Sequence, residues 1–216
     1  MEIVSYLTSI YGYDTPIFLK DVRIGKKSKA AIKEEFYRAY KKGEIVREGP
    51  GVYSIANKNN DFVSSGVVTF EKIIEAKFMY EKNCVDEYKE LFVCGYYSGL
   101  TFLNQIGMSQ QVPAILEITT NRTSSKKRNY VALSRIAIIR KSRTTINCTN
   151  YKILQFLDMF YFVSMDEVKE NKQLLRNYII NNGLSKRDFS QYIGLYNDNT
   201  LKKIVEGGLI DAFIKW

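Results

Sequence analysis

The segment between residues 28 and 55 constrains the fold more than any other part of the chain. Ser28 is a preferred N-cap for a helix over residues 29–42, and Gly43 suits the left-handed position that ends a helix. Two stretches with β-forming residues follow, on either side of the turn sequence Glu48-Gly49-Pro50-Gly51. The segment therefore predicts a helix that leads directly into a β-hairpin.

Two shorter helices are predicted ahead of this segment. Ile3, Leu7 and Ile10 share one helical face, and Gly12 follows them. Thr15-Pro16 has the pattern of an N-cap followed by proline in the first helical position, which predicts a short second helix up to about Val22. Three helices and then a hairpin is the order of a winged helix–turn–helix, and we predict this fold for residues 1–58.

Basic side chains concentrate on the third predicted helix. The chain has 32 Lys+Arg against 23 Asp+Glu, a net charge of +9, and residues 20–42 alone hold nine basic side chains against three acidic ones. A helix of this kind enters the major groove of DNA, where lysines contact phosphates more than they read bases. The alternative is a solvated lysine face used for protein contacts. The predicted DNA-binding residues are Lys26, Lys27, Ser28, Lys29, Lys33, Tyr37 and, on the wing, Arg47.

The remainder of the chain, residues 59–216, is predicted to form a second domain. Residues 56–65 are polar and turn-rich and are the best candidate for a linker. Helical and strand-like patterns then alternate to about residue 163, among them a strand over Val112–Thr119 and a segment over Ile153–Val163 that fits either type. Residues 164–216 have helical patterns. The predicted fold class is α+β: a winged helix–turn–helix, a mixed α/β domain and a helical C-terminal end.

A second basic stretch lies in this second domain. From Ile118 to Leu157 there is no Asp or Glu, whereas nine Lys or Arg occur. So one-sided a block favours an anionic partner, which could be DNA, RNA or an acidic protein. The alternative is a basic loop without a partner. The predicted second basic surface comprises Arg122, Lys126, Lys127, Arg128, Arg140, Lys141 and Arg143.

Enzyme signatures are scarce in the sequence. The chain has no histidine, which removes Ser-His and Cys-His pairs and histidine metal ligands, and it has neither a Walker-type nor a dinucleotide-binding glycine motif. The three cysteines lack zinc-site spacing. The acidic pairs Asp86-Glu87 and Asp166-Glu167 fit solvated surface, and Asp158, inside an apolar run, predicts an ion pair with a nearby arginine. We expect no enzyme activity, cofactor or metal.

No apolar run approaches the length of a membrane span, and the N-terminus lacks the pattern of a signal peptide. The sequence therefore predicts a cytoplasmic protein without a membrane partner.

Several motifs resemble the AbiEi antitoxins of bacterial abortive-infection, type IV toxin–antitoxin systems. They are Ser28-Lys-Ala-Ala-Ile-Lys, Lys42-Gly43-Glu44-Ile45 and Arg47-Glu-Gly-Pro-Gly51-Val52-Tyr53-Ser54, with looser likeness at Tyr97-Ser98-Gly99-Leu100-Thr101 and Val112-Pro113-Ala114. The resemblance covers the first domain well and the middle of the chain loosely. The last fifty residues match no motif of the family.

The resemblance implies an autoregulating antitoxin of a phage-defence system. Its winged helix would repress its own operon by binding double-stranded DNA at inverted repeats, and its second domain would neutralise a nucleotidyltransferase-like toxin, with or without direct contact. Family members also use a positive surface on the second domain for DNA. Two other hypotheses stay open: a winged-helix regulator whose C-terminal domain senses a ligand or protein, and a carboxylate- and metal-dependent nuclease or nucleotidyltransferase with a DNA-binding head.

Overall fold

A computed structural model describes residues 2–56, 68–81 and 92–213. Nearly all of the predicted linker, the predicted boundary at residue 58, and the pair Asp86-Glu87 lie outside these ranges. Within them the fold is mixed α and β with a helical C-terminal end, as the sequence predicted. The chain divides into two compact units, an N-terminal unit of Met1–Ala76 with Val131–Arg135, and a C-terminal unit of Lys77–Tyr130 with Ile136–Trp216.

The N-terminal unit consists of small elements around one apolar core. Their order is α1 (Ile3–Tyr11), β1 (Ile17–Phe18), a 3₁₀ turn (Leu19–Asp21), α2 (Lys29–Lys41), β2 (Val46–Gly49) and β3 (Val52–Ser54). The three strands form an antiparallel sheet in the order β1-β3-β2. Leu7 of α1, Phe36 of α2 and Ile17 of β1 are completely buried in the shared core.

Both ends of α2 follow from the sequence signals. The Ser28 side chain accepts a hydrogen bond from the Ala31 amide at 3.2 Å, which caps the N-terminus. At the other end Gly43 has a φ of +70°, and the amide of the next residue, Glu44, donates to the Ala39 carbonyl at 3.0 Å. The predicted helix over residues 29–42 is therefore confirmed to within one residue.

The prediction of a second helix, from Thr15-Pro16 to about Val22, is wrong. The Thr15 hydroxyl donates to the Tyr13 carbonyl at 3.1 Å instead of capping a helix. Ile17 and Phe18 form strand β1 against β3, and only the 3₁₀ turn that follows is helical. Two consecutive apolar side chains are buried in this way while β3 satisfies their backbone groups, so tertiary pairing overrides the Thr-Pro signal.

The C-terminal unit contains a mixed four-stranded sheet and most of the helices. α3 and the β8–β9 hairpin contribute residues to both units. The sheet order is β6-β7-β9-β8, with β6 and β7 antiparallel and β7 and β9 parallel. The remaining helices and strands of the described chain, most of them in this unit, are α3 (Phe70–Phe78), β4 (Tyr80–Glu81), β5 (Phe92–Val93), β6 (Gly95–Tyr97), α4 (Gly99–Gln105), β7 (Leu116–Thr120), β8 (Lys127–Ala132), β9 (Arg135–Lys141), α5 (Tyr151–Met159), α6 (Met165–Glu170), α7 (Lys172–Asn181), α8 (Lys186–Tyr192) and α9 (Asp198–Glu206).

The structure shows the secondary structure of two segments that the sequence placed inexactly or left open. The strand predicted from Val112 begins only at Leu116, because Val112 is 80% exposed and has no sheet partner in the described chain. Helix α5 begins two residues before the ambiguous run from Ile153 to Val163 and covers that run as far as Met159. Every residue from Ile153 to Met159 is buried, so the run has no exposed side to mark a helical period. Among the described residues, no helix combines the length and apolar character needed to cross a membrane.

The turn between β8 and β9 holds two residues in a costly conformation. Leu133 and Ser134 have φ values of +47° and +58°, a region that side chains with a Cβ disfavour by about 1–2 kcal/mol. We expect Ser134→Gly to raise the free energy of unfolding by about 0.5–1 kcal/mol, measured by urea denaturation. Ser124→Gly, at an exposed loop position without positive φ, is the control and should lower stability slightly. Equal effects of the two changes would contradict this explanation.

Candidate nucleic-acid interface

The exposed side of α2 carries a stripe of three lysines and a tyrosine that follow one another at four-residue spacing. Lys29, Lys33, Tyr37 and Lys41 are all exposed, and the Tyr37 ring lies 5.5 Å from Lys41 Nζ. Ile32, Phe36 and Ala39 are buried on the other side of the helix. Tyr40, next to Ala39, is 41% exposed. The stripe is thus an accessible surface of the N-terminal unit.

The side chains just before α2 differ in whether contacts within the protein already engage them. Lys26, Lys27 and Ser28 are exposed, but Lys27 Nζ forms an ion pair with Glu35 Oε1 at 2.6 Å, and the Ser28 oxygen caps the helix. Lys26, like Lys29 and Lys33 of α2, has no ion-pair partner within the described ranges. These three lysines are therefore better anion-binding candidates than Lys27.

The charge distribution along α2 is unusual for a helix. Acidic side chains normally favour the first turn, because the unpaired amides there carry partial positive charge. The first turn of α2 has none, and Lys26, Lys27 and Lys29 gather at this end while Arg38 and Lys41 occupy the last turn. Positive charge at a helix N-terminus is destabilising without a partner. An anion bound there would offset the repulsion between the lysines and the partial positive charge of the helix end, and it would accept hydrogen bonds from the unpaired amides.

Arg47 is the exposed charge of the hairpin. It lies on β2 opposite Tyr53, is exposed, and forms no ion pair with any described residue. The register of the two strands shifts between Arg47 and Gly49, so the side chain of the intervening Glu48 turns inward. Glu48 is buried and accepts a hydrogen bond from the Ser54 hydroxyl at 2.6 Å. The hairpin consequently presents positive charge although its sequence includes an acid.

The predicted second basic surface is only partly available in the C-terminal unit. Four of its residues, Lys126, Lys127, Arg128 and Lys141, are exposed and make no ion pair in the part of the chain that the structure describes. The Lys141 amide donates to the Lys126 carbonyl at 3.3 Å, which brings these two positions side by side at the open end of the β8–β9 hairpin.

The other three predicted residues are engaged in internal contacts. Arg122 donates to the Lys77 carbonyl at 3.0 Å. Arg140 Nη2 lies 2.6 Å from Glu117 Oε2, and Arg143 Nε lies 3.5 Å from Asp158 Oδ1. Glu117 and Asp158 are the acids that border the acid-free stretch in the sequence. In the fold, sheet pairing and helix packing place these two acids beside arginines of that stretch and neutralise part of its positive charge. Arg122, Arg140 and Arg143 are accordingly less available to a partner than predicted.

Asp158 stands at the centre of a buried polar cluster. Its Oδ2 accepts hydrogen bonds from the Tyr96 hydroxyl at 2.7 Å and from the Thr119 hydroxyl at 3.3 Å. Arg143, which pairs with the other carboxylate oxygen, also lies against the rings of Tyr161 and Tyr196, at 4.6 and 5.0 Å from their centroids. The predicted ion pair of Asp158 with a nearby arginine is present. The tyrosine and threonine partners could not be recognised, because they come from distant strands.

The ionisation of this cluster is set by burial. Burial raises the pKa of Asp158, and the Tyr96 hydrogen bond, the Arg143 charge and the Thr119 hydrogen bond only partly oppose that rise. Burial and the neighbouring Asp158 charge raise the pKa of Tyr96 well above its usual value, and burial also raises the pKa of Tyr196. The tyrosines are hydroxyl donors at neutral pH, so the cluster binds β6, β7 and α5 together by hydrogen bonds.

No group of three or more histidine, cysteine, aspartate or glutamate side chains within the described ranges is arranged to hold a metal ion. Comparison with known proteins adds no functional assignment, since no protein-family model matches the chain and no curated protein shows significant similarity to it.

Proposed function

We propose that the N-terminal unit is a winged helix–turn–helix that binds double-stranded DNA, with α2 in the major groove and the β2–β3 hairpin as the wing. The order of elements supports this: a helix, a short strand, a 3₁₀ turn in the place of the second helix, a third helix and a hairpin. The strand that precedes the 3₁₀ turn joins the hairpin as its third strand. The observation that carries the proposal is the exposed basic face of α2, the element that enters the groove in this class of protein.

The chemistry of this face favours phosphate contacts. Lys29 and Lys33 lie in the N-terminal half of α2, and Lys26 lies just before it; this is the end of the helix that approaches DNA. Lysine is a flexible point charge and suits phosphate oxygens better than a planar base edge. Arg47 lies on the proposed wing and would contact the neighbouring backbone.

DNA binding is tested with the full chain and a labelled duplex from the region upstream of its own gene. We expect binding that weakens steeply with salt, and a weaker complex with a shuffled duplex of equal composition, because phosphate contacts release counterions and an operator adds base contacts. Fluorescence anisotropy over a salt series measures both. No binding to either duplex at low salt would contradict the proposal.

We propose further that the chain is an AbiEi-type antitoxin that represses its own operon and neutralises a nucleotidyltransferase-like toxin. The support is the sequence resemblance, whose most specific motif, Arg47–Ser54, coincides with the β2–β3 hairpin. Lys126, Lys127, Arg128 and Lys141 are the candidate antitoxic surface, since they are the residues of the predicted second basic surface that are exposed and form no ion pair with any described residue.

The antitoxin proposal is tested by co-expression with the product of a neighbouring nucleotidyltransferase-like gene. We expect the full chain to restore growth, and the change of Lys126, Lys127 and Arg128 to alanine to reduce that rescue. Arg122→Ala is unsuitable as a partner variant because its backbone contact to Lys77 is structural. Toxicity that persists with the wild-type chain would contradict antitoxicity and leave a transcriptional regulator.

A further inference from the structure

Glu34 occupies the outermost position on the N-terminal half of α2. Successive residues of an α-helix are about 100° apart, so a four-residue spacing drifts by about 40° per step. Ile32, Phe36 and Ala39 define the buried side. Directly opposite them lie Ala30, Glu34 and Lys41, while Lys29 and Lys33 lie on one flank. In a groove, the flank of the helix would meet the phosphates and the outermost residues would meet the bases.

The Glu34 carboxylate is only loosely held within the protein. Among the described residues its only ion pair is with Arg38, one turn later, at 3.7 Å, and the side chains of Glu34 and Arg38 are 60% and 66% exposed. An exposed pair at this spacing contributes only about 0.3–0.5 kcal/mol. The neighbouring Glu35 differs, because it is bound to Lys27 at 2.6 Å and its side chain is 25% exposed. Glu34 is thus the acid of α2 that can exchange its partner for a ligand.

A carboxylate on the side of a helix that faces DNA is repelled by phosphates and needs a hydrogen-bond donor. In the major groove the bases offer two, the N4 amino group of cytosine and the N6 amino group of adenine. The adenine amino group lies between two acceptors, its own N7 and O4 of the paired thymine, whereas the cytosine amino group has an acceptor on one side only, O6 of the paired guanine. Cytosine is therefore the base whose amino group a carboxylate approaches with the least repulsion.

We propose that Glu34 is a specificity residue that accepts a hydrogen bond from the N4 amino group of a cytosine. The inference rests on the proposed function, in which α2 enters the major groove. The flanking lysines supply affinity for any duplex, and Glu34 makes that affinity depend on sequence. Arg38 is released from Glu34 in the complex and is free to contact a phosphate.

The test is a selection from a duplex library with a randomised central segment, using the full chain and three variants. We expect the wild-type motif to contain a cytosine that Glu34→Ala no longer selects and that Glu34→Gln replaces by adenine, since an amide pairs with adenine N6 and N7. Glu35→Ala removes the same charge from the same helix and should retain the cytosine.

Binding affinities for selected and unselected duplexes distinguish a failure of the role proposed for Glu34 from a failure of the proposed DNA binding by α2. On the selected duplex, Glu34→Ala should bind about tenfold more weakly or worse, as expected for the loss of a base contact, while binding unselected duplex more tightly because a repulsion is gone. Tighter binding of Glu34→Ala to both duplexes alike, or an unchanged motif, would overturn the role of Glu34. Failure of every protein, including wild type, to retain DNA would instead overturn the proposed function on which it rests.

Discussion

Simultaneous replacement of Lys26, Lys29 and Lys33 by alanine is expected to weaken binding of duplex DNA by about a hundredfold near 0.1 M salt. Each lysine that neutralises a phosphate contributes about 0.9 to the slope of log K against log salt concentration, so three lost contacts lower the slope by about 2.7. These residues are exposed, and neither capping nor ion pairing in the described structure uses their side chains. The free energy of unfolding should therefore not fall, and it should rise slightly because positive charge is removed from the N-terminus of α2.

A charge-matched variant separates this interface from general attraction between a basic protein and DNA. Lys169, Lys186 and Arg187 are exposed side chains of the helical end. Their replacement by alanine removes the same three positive charges, yet should change the affinity only a few-fold through the net charge. Equal losses for the two triple variants, in affinity and in salt slope, would contradict a localised interface on α2.

Replacement of Asp158 by alanine is expected to lower the free energy of unfolding by about 3 kcal/mol or more. The change leaves the buried hydroxyls of Tyr96 and Thr119 without their acceptor and removes the partner of Arg143. Each buried hydroxyl left without its acceptor costs about 1–3 kcal/mol. Arg143 adds less than a buried charge would, because its side chain is 39% exposed. Urea unfolding at neutral pH measures the loss. A change below about 1 kcal/mol would mean that these groups find other partners.

Asp158→Asn provides the matched variant and a test of pH dependence. It keeps an oxygen acceptor for Tyr96 and should be less harmful than alanine. Because burial raises the pKa of Asp158 in the folded protein, the folded state binds its proton more tightly than the unfolded chain does. The associated stability is complete below the ordinary aspartate pKa and is lost as pH rises through the raised value.

The stability difference between wild type and Asp158→Asn should therefore shift against the wild type as pH increases across that window. A series of urea titrations at successive pH values measures the trend. A difference that stays constant with pH would contradict a raised pKa, and a shift in favour of the wild type would mean that Arg143 and the hydroxyls outweigh burial.

Local signals in the sequence were sufficient where the relevant physics is local. Ser28 and Gly43 fixed α2 because capping involves only residues within one turn. The exposure of Lys29, Lys33 and Tyr37 followed from the periodicity of the same helix. The helical C-terminal end was likewise predictable, and Ser164 and Ser185 begin α6 and α8 with capping boxes.

The errors arose where distant residues decide the outcome. β1 exists because β3 pairs with it, and Thr15-Pro16 carries no information about that pairing. Arg140 and Arg143 were predicted to belong to the second basic surface because the sequence between Glu117 and Asp158 has no acid. Only the fold brings these arginines into contact with the two acids. Tyr96 and Thr119 belong to neighbouring strands and meet α5 through the sheet. Sequence spacing cannot reveal such contacts.

The central claim is that α2 is the surface that meets DNA, and lysine footprinting tests it without any mutation. The full chain is acetylated briefly with and without saturating duplex, and modification of each lysine is quantified by mass spectrometry. We expect Lys26, Lys29 and Lys33 to be protected by DNA, whereas Lys169 and Lys186 react equally in both samples. Unchanged reactivity of Lys26, Lys29 and Lys33 in a sample whose DNA is demonstrably bound would contradict the claim.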